Sequence, residues 1–410
     1  MKRHVIIGNG TAAVGCIEGI RSVSAEDTIT VISKEPHAVY SRPLISYYLE
    51  GKTDTERMRY RDADFYEKNA VDVRYGASAE HIDTEHGEIV LTDGSRIPYD
   101  DVCVAAGSSP FVPPMEGLET VEKRFGFMTL DDALSLEKVL TKESRVLIVG
   151  AGLIGLKCAE GIHGRVGSIM VCDLADRVLS SILDSECAAI VQKHLEANGI
   201  SFLLSDSVAK FDGNTATMKS GASVAFDVLV LAVGVRANIG LLKEIGGTVN
   251  RGIVVDTAMA TSVPGVYAAG DCAEGYDASL GANRVLAILP NAYLQGRTAG
   301  VNMAGGETAF TNGIPMNSIG FFGLHIMSAG TYDGEMSEER GDGILKRFFV
   351  KDDRLTGYIL IGETGRAGIY TALVRERTPL SEIDFEAAKK IAGSAVFSSE
   401  VRRKKFGGAV

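Results

Sequence analysis

The sequence predicts an α/β protein with two Rossmann-like dinucleotide-binding domains and a small α+β domain towards its C-terminal end. A strand, a glycine turn, a helix, a second strand and an acid occur in that order twice along the chain. Glycine supplies 47 of the 410 residues, well above the usual share of roughly 7%. Two apolar runs around an Asp-Asp turn, after residue 313, predict the third domain.

The first repeat begins with a short apolar strand over residues 4–7, followed by a Gly-x-Gly turn that opens a helix. A second strand over residues 28–32 ends near an acid. In a dinucleotide fingerprint the first glycine makes the turn, the second admits a pyrophosphate, and a third small residue lets helix and strand pack closely. The pyrophosphate then lies at the helix N-terminus, and the acid accepts hydrogen bonds from ribose hydroxyls. The predicted contacts are Gly8, Gly10, Thr11, Ala12, Ala13 and Glu35.

The second repeat has the same plan, with strands over residues 145–149 and 168–172. One copy would be weak evidence, because glycine turns also occur for packing alone, but two ordered copies are strong evidence. The similarity continues from residues 93–107 to residues 220–234, each with a turn, an aromatic–Asp pair, an apolar strand and an Ala-x-Gly exit. Two modules require two nucleotides, most economically a flavin and a nicotinamide dinucleotide. The predicted contacts are Gly150, Gly152, Leu153, Ile154, Gly155, Asp173, Ala106, Gly107 and Gly234.

Composition narrows the class of protein further. With 45% hydrophobic residues the chain can form real cores, and a net charge of −11 argues against a chain-wide preference for nucleic acid or anionic membranes. We expect a cytoplasmic protein without a signal peptide or membrane span, since no apolar run reaches about 18 residues. The six cysteines lack C-x-x-C and zinc spacings and mostly lie in apolar runs, which predicts buried reduced thiols and no metal site.

Together with the run Thr-Ser-Val-Pro-Gly-Val-Tyr-Ala-Ala-Gly-Asp over residues 261–271, these motifs resemble the pyridine nucleotide:disulfide oxidoreductase superfamily across roughly residues 1–310. The resemblance implies FAD in the first module and NAD(P)H in the second, with Asp271, after Gly270, holding the flavin ribityl chain. It also implies the domain boundaries. These are a discontinuous FAD domain of residues 1–112 plus 245–312, an NAD(P)H domain of residues 113–244, a C-terminal domain of residues 313–400 and a basic tail of residues 401–410.

The branch of the superfamily is indicated by residues 33–49, which contain no cysteine. Exchange with a disulfide needs a thiolate, so reduction of disulfides, coenzyme A disulfides or peroxides by that route is excluded. The segment Tyr-Ser-Arg-Pro-Leu-Ile-Ser from residue 40 resembles rubredoxin reductases, nitrite reductase flavin domains and ferredoxin reductases. This resemblance implies flavin contacts at Arg42, Pro43 and Ser46. Residues 313–323 and 355–371 likewise resemble the C-terminal domain of NADH:rubredoxin oxidoreductases.

The resemblance also supplies a candidate catalytic residue. Glu160 matches the glutamate that lies near the nicotinamide carboxamide in related reductases. In ferredoxin reductases a lysine commonly follows the second serine and partners that glutamate, but here the position is Tyr47, so that lysine is absent. Asp173 favours NADH, because a carboxylate accepts from the ribose 2′-OH and repels a 2′-phosphate. Arg177, four residues on, leaves NADPH as the less favoured alternative.

These observations predict an FAD-dependent oxidoreductase that passes electrons from NADH through flavin to a one-electron iron protein, rubredoxin or ferredoxin-like. Three alternatives stay open: an NADH oxidase, a flavin component of nitrite reduction, and a flavin relay subunit or flavin binder in a larger electron-transfer complex. The iron protein would dock on a local basic surface, either Arg57, Arg59 and Arg61 or the tail residues 402–405, unless these are only solvated charge runs.

Overall fold

The computed structural model describes residues 1–390, which form two compact units. The first unit contains Met1–Pro36, Tyr66–Gly107 and the chain from Asn238 onward, and the second contains His37–Phe65 and Ser108–Ala237. The boundaries predicted at residues 112, 244 and 312 stay a prediction. The predicted basic tail, and residues 391–400 of the predicted C-terminal domain, lie outside the described residues.

Ten α-helices occur within residues 1–390. In chain order they are α1 (Thr11–Arg21), α2 (Ile45–Leu49), α3 (Phe65–Lys68), α4 (Leu130–Glu137), α5 (Leu153–Ile162), α6 (Ser185–Ala197), α7 (Gly240–Glu244), α8 (Leu289–Met303), α9 (Ala367–Glu376) and α10 (Phe385–Lys390). In the part of the chain that the structure describes, none of the helices is long and apolar enough to cross a membrane.

The strands of the first half of the chain are β1 (Arg3–Ile7), β2 (Thr28–Ser33), β3 (Val71–Tyr75), β4 (Ala79–Asp83), β5 (Glu88–Leu91), β6 (Arg96–Pro98), β7 (Asp101–Val104), β8 (Ser108–Pro110), β9 (Arg124–Phe125), β10 (Arg145–Val149), β11 (Ser168–Asp173), β12 (Ile200–Leu204) and β13 (Val208–Asp212). Those of the second half are β14 (Thr215–Met218), β15 (Ser223–Ala225), β16 (Val228–Leu231), β17 (Val235–Ala237), β18 (Ile253–Val254), β19 (Val266–Ala268), β20 (Ala273–Asp277), β21 (Ala282–Val285), β22 (Met316–Phe321), β23 (Leu324–Gly330), β24 (Glu335–Gly341), β25 (Ile344–Lys351) and β26 (Arg354–Ile361).

Each unit contains a five-stranded parallel sheet, and the two sheets have matching strand orders. The first unit has β19-β7-β1-β2-β3, and the second has β9-β16-β10-β11-β12. The first strand of each repeat, β1 or β10, is therefore the central strand of its sheet. From it the chain adds the next parallel strands on one side and later returns to add the neighbouring strand on the other side. That is the topological switch point at which open α/β sheets bind ligands, beyond the carboxyl ends of the strands. The predicted fold class is confirmed.

The duplication extends to the antiparallel pieces. The three-stranded sheet β4-β5-β6 of the first unit corresponds in chain order to β13-β14-β15 of the second, and each precedes the strand beside the central one. In the second unit a two-stranded ribbon pairs β8 with β17, which lie at the two ends of the segment Ser108–Ala237. The internal repeat found in the sequence is thus a repeat of whole modules.

Four glycines allow α1 and α8 of the first unit to lie unusually close together. Gly15 and Gly19 on α1 face α8, and Gly296 and Gly300 on α8 face α1. A Cβ on any of them would lie 1.9 to 2.4 Å from a backbone carbonyl oxygen of the opposite helix. Part of the glycine excess therefore serves helix packing, because only glycine permits backbones to approach so closely.

The last part of the first unit is a five-stranded antiparallel sheet in the order β22-β23-β26-β25-β24, with α9 packed on it. Phe348, Tyr358 and Tyr370 are fully buried in its core. The predicted strands around the Asp-Asp turn are confirmed: Asp352 and Asp353 join β25 to β26 with φ of 50° and 58°. Two left-handed central residues are what a two-residue hairpin turn requires.

Candidate nucleotide-binding site

The first glycine turn lies at the carboxyl end of β1 and leads directly into α1. Gly8 has φ of +114°, and a Cβ there would lie 2.1 Å from the carbonyl oxygen of Ala105, so the tight turn requires glycine. Gly10 is extended, and a Cβ on it would meet no atom within 4 Å. No side chain caps the first turn of α1. The open face at Gly10 and the uncapped N–H groups fit a bound pyrophosphate.

The second glycine turn, between β10 and α5, repeats this geometry. Gly150 has φ of +118°, and its Cβ would lie 2.2 Å from the carbonyl oxygen of Ala232. A Cβ on Gly152 would again meet nothing within 4 Å, and α5 has no side-chain cap. Gly155 is needed for packing, because its Cβ would lie 2.0 Å from the Gly150 carbonyl oxygen. The two turns have the same three parts: a glycine with positive φ, a glycine at which a Cβ would meet no other atom, and a small buried residue.

The acids at the ends of the second strands are both half-buried. Asp173 accepts hydrogen bonds from the backbone N–H groups of Ala151, at 2.6 Å, and Ala175, at 2.8 Å. Its carboxylate is therefore held against the glycine turn, where a ribose would lie beside the pyrophosphate. Glu35 lies two residues beyond β2, and its carbonyl accepts from the Ser33 hydroxyl at 2.7 Å.

The motif Gly270-Asp271 lies beside the first glycine turn in space. Gly270 has φ of +82°, and a Cβ on it would lie 3.1 Å from the Cβ of Ala12 on α1. Its N–H donates to Oε1 of Gln295 at 2.8 Å. Gln295 is completely buried on α8, and its Nε2 has no hydrogen-bond partner among the described residues. The fold thus brings half-buried Asp271 to the same end of the sheet as Gly8 to Ala13.

The two Ala-x-Gly exits have related left-handed conformations. Gly107 has φ of +64° and Gly234 has φ of +106°. Asn238 joins the first exit by two hydrogen bonds, from Nδ2 to the Ala106 carbonyl at 2.8 Å and from its backbone N–H to the Gly107 carbonyl at 3.0 Å. Sequence reasoning did not select Asn238, since a single asparagine after a strand gives no distinctive signal.

The segment predicted to contact flavin lies in the second unit. Arg42 donates to the carbonyl oxygen of Met128 at 3.1 Å and to the Tyr40 hydroxyl at 3.3 Å. The hydroxyl of Ser46, a buried residue, donates to the carbonyl oxygen of Pro43 at 3.2 Å. These contacts fix the conformation of the segment locally. The flavin contacts at Arg42, Pro43 and Ser46 remain predictions.

Glu160 lies on α5 in the second unit and is almost fully buried. Its side chain is 7% exposed and forms an ion pair with Lys157, one turn earlier on the same helix. The Lys157 Nζ lies 4.8 Å from the centre of the Tyr47 ring. The catalytic role predicted for Glu160 stays a prediction, and sequence reasoning did not single out Lys157.

The six cysteines are all buried free thiols, as predicted. Burial raises the pKa of Cys158, and it raises the pKa of Cys172 and of Cys272 to about 12. A buried thiol with a raised pKa carries little of the thiolate that nucleophilic chemistry needs. None of the six cysteines, which all lie within residues 1–390, is therefore an accessible thiol.

In the basic surface predicted at Arg57, Arg59 and Arg61, some of the positive charges interact with neighbouring side chains. Arg57 and Arg59 are exposed, but Arg57 forms an ion pair with Asp54 at 3.4 Å. The Arg61 guanidinium lies over the rings of Tyr60 and Phe65, at 4.8 and 6.0 Å. The other candidate surface, residues 402–405, lies outside the described residues.

Comparison with known proteins agrees with this geometry. Residues 2–296 match the pyridine nucleotide-disulphide oxidoreductase family. The chain belongs to this family. Its members are FAD-dependent, NAD(H)-linked oxidoreductases, so the predicted enzyme class is confirmed. Residues 315–378 match the rubredoxin NAD+ reductase C-terminal domain, within the region predicted to resemble it.

Individual relatives differ in what they do. The chain is 31% identical to NADH-dependent phenylglyoxylate dehydrogenase subunit epsilon from Aromatoleum evansii, covering 93% of each chain. It is 30% identical to nitrite reductase [NAD(P)H] from Bacillus subtilis over 93% of this chain, but spans only 48% of that protein. In the covalent putidaredoxin reductase–putidaredoxin complex, a chain has the same fold, with a TM-score of 0.87, 22% identity, and coverage of 95% of this chain and 99% of that one.

Proposed function

We propose that this protein takes electrons from NADH onto FAD and passes them to a one-electron iron protein of the rubredoxin or ferredoxin type. The observation that carries the proposal is the pair of equivalent glycine turns, each with an open second glycine, in a chain whose six thiols are all buried. Two nucleotides and no accessible thiol leave direct transfer from the flavin to an external acceptor as the route for electrons.

The residues of the first unit suit FAD. The uncapped N-terminus of α1 would receive the pyrophosphate, Glu35 would accept from the adenosine ribose, and Asp271 would hold the ribityl chain. When bound, the flavin accepts a hydride from the nicotinamide and can release its two electrons one at a time, whereas the protein supplies orientation and electrostatics.

The residues of the second unit suit NADH. The turn at Gly150 to Gly155 would receive its pyrophosphate, and Asp173 would accept from the ribose 2′-OH. The Asp173 carboxylate is already held at 2.6 Å from the N–H of Ala151, so it is fixed where a 2′-phosphate would be repelled. Glu160, which is almost fully buried, would accept from the nicotinamide carboxamide.

The acceptor is proposed from the match of residues 315–378 to the rubredoxin NAD+ reductase C-terminal domain. The chain as a whole is acidic, so an acidic carrier would need a local basic surface, for which exposed Arg57 and Arg59 are candidates. Turnover with the carrier should then fall as salt rises, and salt-independent turnover would exclude this surface.

A second candidate function is a flavin-containing subunit of a larger electron-transfer complex. It is favoured by the relative from Aromatoleum evansii, a named subunit that this chain matches over 93% of both lengths. Co-purification of the native protein with an iron–sulfur subunit in fixed stoichiometry would support it.

The proposal is tested by following flavin absorbance anaerobically. NADH is added, and the reduced protein is then mixed separately with oxidised rubredoxin, an oxidised ferredoxin and air-saturated buffer. We expect fast bleaching, followed by reoxidation much faster with an iron protein than with air. Fastest reoxidation by air would favour the oxidase alternative, and no bleaching by NADH would refute the catalytic assignment.

A further inference from the structure

A tyrosine from outside the first glycine turn holds the middle residue of that turn. Asn9 lies between Gly8 and Gly10, and its Oδ1 accepts a hydrogen bond from the Tyr66 hydroxyl at 2.6 Å. Both residues are half-buried. Because the two glycines have no side chains, Asn9 is where a side chain can fix this turn.

Tyr66 lies on α3, at the point where the chain returns to the first unit. The segment that follows it is attached to the other end of α1. Arg21, in the last turn of α1, donates from Nε to the carbonyl oxygen of Asn69 at 2.7 Å and from Nη2 to that of Ala70 at 3.4 Å. Residues 66–70 therefore contact both the turn that precedes α1 and the end of α1, which fixes the place of Tyr66 beside the turn.

The Tyr66 ring also packs against Tyr75, at the carboxyl end of β3. The two ring centres are 6.5 Å apart and the ring planes are perpendicular, an edge-to-face arrangement that aromatic pairs favour. Tyr75 lies opposite Ser33 of β2, whose hydroxyl donates to the Glu35 carbonyl at 2.7 Å. Tyr66 is thus held at the same end of the sheet as the first turn and the acid after β2.

The second glycine turn is fixed in a different way. Its middle residue is Ala151, which has no polar side chain. The backbone N–H of Ala151 donates to the Asp173 carboxylate at 2.6 Å instead. The hydrogen bond between Tyr66 and Asn9 is therefore specific to the first of the two duplicated modules.

We infer that Tyr66 is a positioning residue for the flavin nucleotide. Its hydroxyl fixes Asn9, so that the N–H groups at the start of α1 keep the orientation that receives a pyrophosphate. Glycine loses more conformational freedom on ordering than any other residue, and a turn that is already ordered costs less to fix when a ligand binds. This inference rests on the proposed function in one respect: the first turn must receive the FAD pyrophosphate.

The test measures the dissociation constant of FAD by diluting the holoprotein and following the fluorescence of released FAD, with calorimetric titration of NAD+ alongside. Tyr66→Phe keeps the ring and removes only the hydroxyl. We expect it to weaken FAD binding about fivefold, the scale of one neutral hydrogen bond. The affinity for NAD+ and the turnover per bound flavin should not change.

A second variant separates positioning from packing. Asn9→Ala should weaken FAD binding at least as much as Tyr66→Phe does. Adding Tyr66→Phe to Asn9→Ala should weaken it no further, because the two changes remove the same interaction. A contribution of Tyr66 that did not act through Asn9 would instead make the two effects additive.

Tyr293→Phe is the matched control. The Tyr293 hydroxyl donates to Glu18 at 2.5 Å, two turns along α1 from the glycine turn, so this variant removes a similar bond from the same helix and should retain FAD as the wild type does. The inference would be overturned, with the proposed function left standing, by additive effects, by wild-type FAD affinity in Tyr66→Phe, or by equal weakening in Tyr293→Phe. Failure of the wild-type protein to bind FAD would overturn both.

Discussion

Gly10 and Gly152 are the open second glycines of the two turns, and replacing each with alanine should weaken the binding of a different nucleotide. Gly152 has φ of −79°, which any residue adopts, and a Cβ on it would meet no protein atom within 4 Å. Gly152→Ala should therefore change the free energy of unfolding by about 1 kcal/mol or less. The methyl group would instead project into the space assigned to the NADH pyrophosphate.

The cost in binding follows from the contacts that the methyl group would displace. Hydrogen bonds to charged groups contribute about 1.5–3 kcal/mol each. Loss of one of them between a backbone N–H and the pyrophosphate corresponds to a dissociation constant about 10- to 100-fold weaker. Gly10→Ala is the matched control, because Gly10 is equally open and its methyl group should lower FAD retention instead.

The assay combines the flavin absorbance ratio, calorimetric titration with NAD+ and thermal unfolding for the wild type and for the variants Gly10→Ala, Gly152→Ala and Gly155→Ala. We expect Gly152→Ala to keep its FAD and lose NAD+ affinity. Gly155→Ala should be destabilised outright, because its Cβ would lie 2.0 Å from the Gly150 carbonyl oxygen. Loss of FAD from Gly152→Ala with unchanged NAD+ affinity would refute the assignment of the two turns.

Three further predictions concern charge and thiols. Replacing Asp173 with serine should shift the kcat/KM ratio towards NADPH by about tenfold, since the group that repels a 2′-phosphate is lost; an unchanged ratio would remove this residue from cofactor selection. The hydrogen bonds and charge of Arg145 hold the pKa of Asp227 at about 2. The difference in unfolding free energy between wild type and Asp227→Asn should therefore be constant above pH of about 4 and disappear as pH falls towards about 2. Denaturant unfolding measured across that range would contradict this if the difference persisted at the lowest pH. Alkylating reagents at pH 8 should leave NADH turnover intact, because the pKa values of Cys172 and Cys272 are raised to about 12 by burial; inactivation that tracks the labelling of one thiol would contradict this.

The parts of the fold that depend on local sequence were predictable. The strand over residues 145–149 has the predicted bounds, and the strand predicted over residues 4–7 begins one residue earlier. Short apolar runs before glycine turns specify buried parallel strands, and the turns themselves need residues that adopt positive φ. The repeat supplied a second copy of the same evidence, which made the fold class secure.

Features that depend on distant pairs of segments were not predictable in the same way. The Gly15 and Gly296 approach joins helices some 280 residues apart, and a single glycine inside a helix gives no sign of what will lie against it. Spacing of four residues within each glycine pair was the available signal. The partnership of Lys157 with Tyr47 similarly depends on the contact of α2 with α5 through Gly161, and neither segment alone specifies it.

The segment from His37 to Phe65 shows the same difficulty at a larger scale. Its motif resembles flavin-contacting segments, but its described contacts attach it to the second unit. Tyr48 donates to Glu137 at 2.7 Å, and the Tyr40 hydroxyl accepts from the N–H of Leu130 at 2.8 Å. Motif resemblance predicts flavin contacts for these residues, whereas the grouping of the segment with the second unit depends on tertiary contacts that no local pattern encodes.

The central claim is that this enzyme has one redox centre, the flavin, and no participating thiol. An anaerobic titration of the holoprotein with NADH tests it most directly, with flavin absorbance and accessible thiols measured at each addition. The account predicts complete bleaching at one NADH per FAD and no new accessible thiols, since each NADH supplies the two electrons that one flavin accepts. Consumption of two NADH per FAD, with thiols appearing, would contradict it.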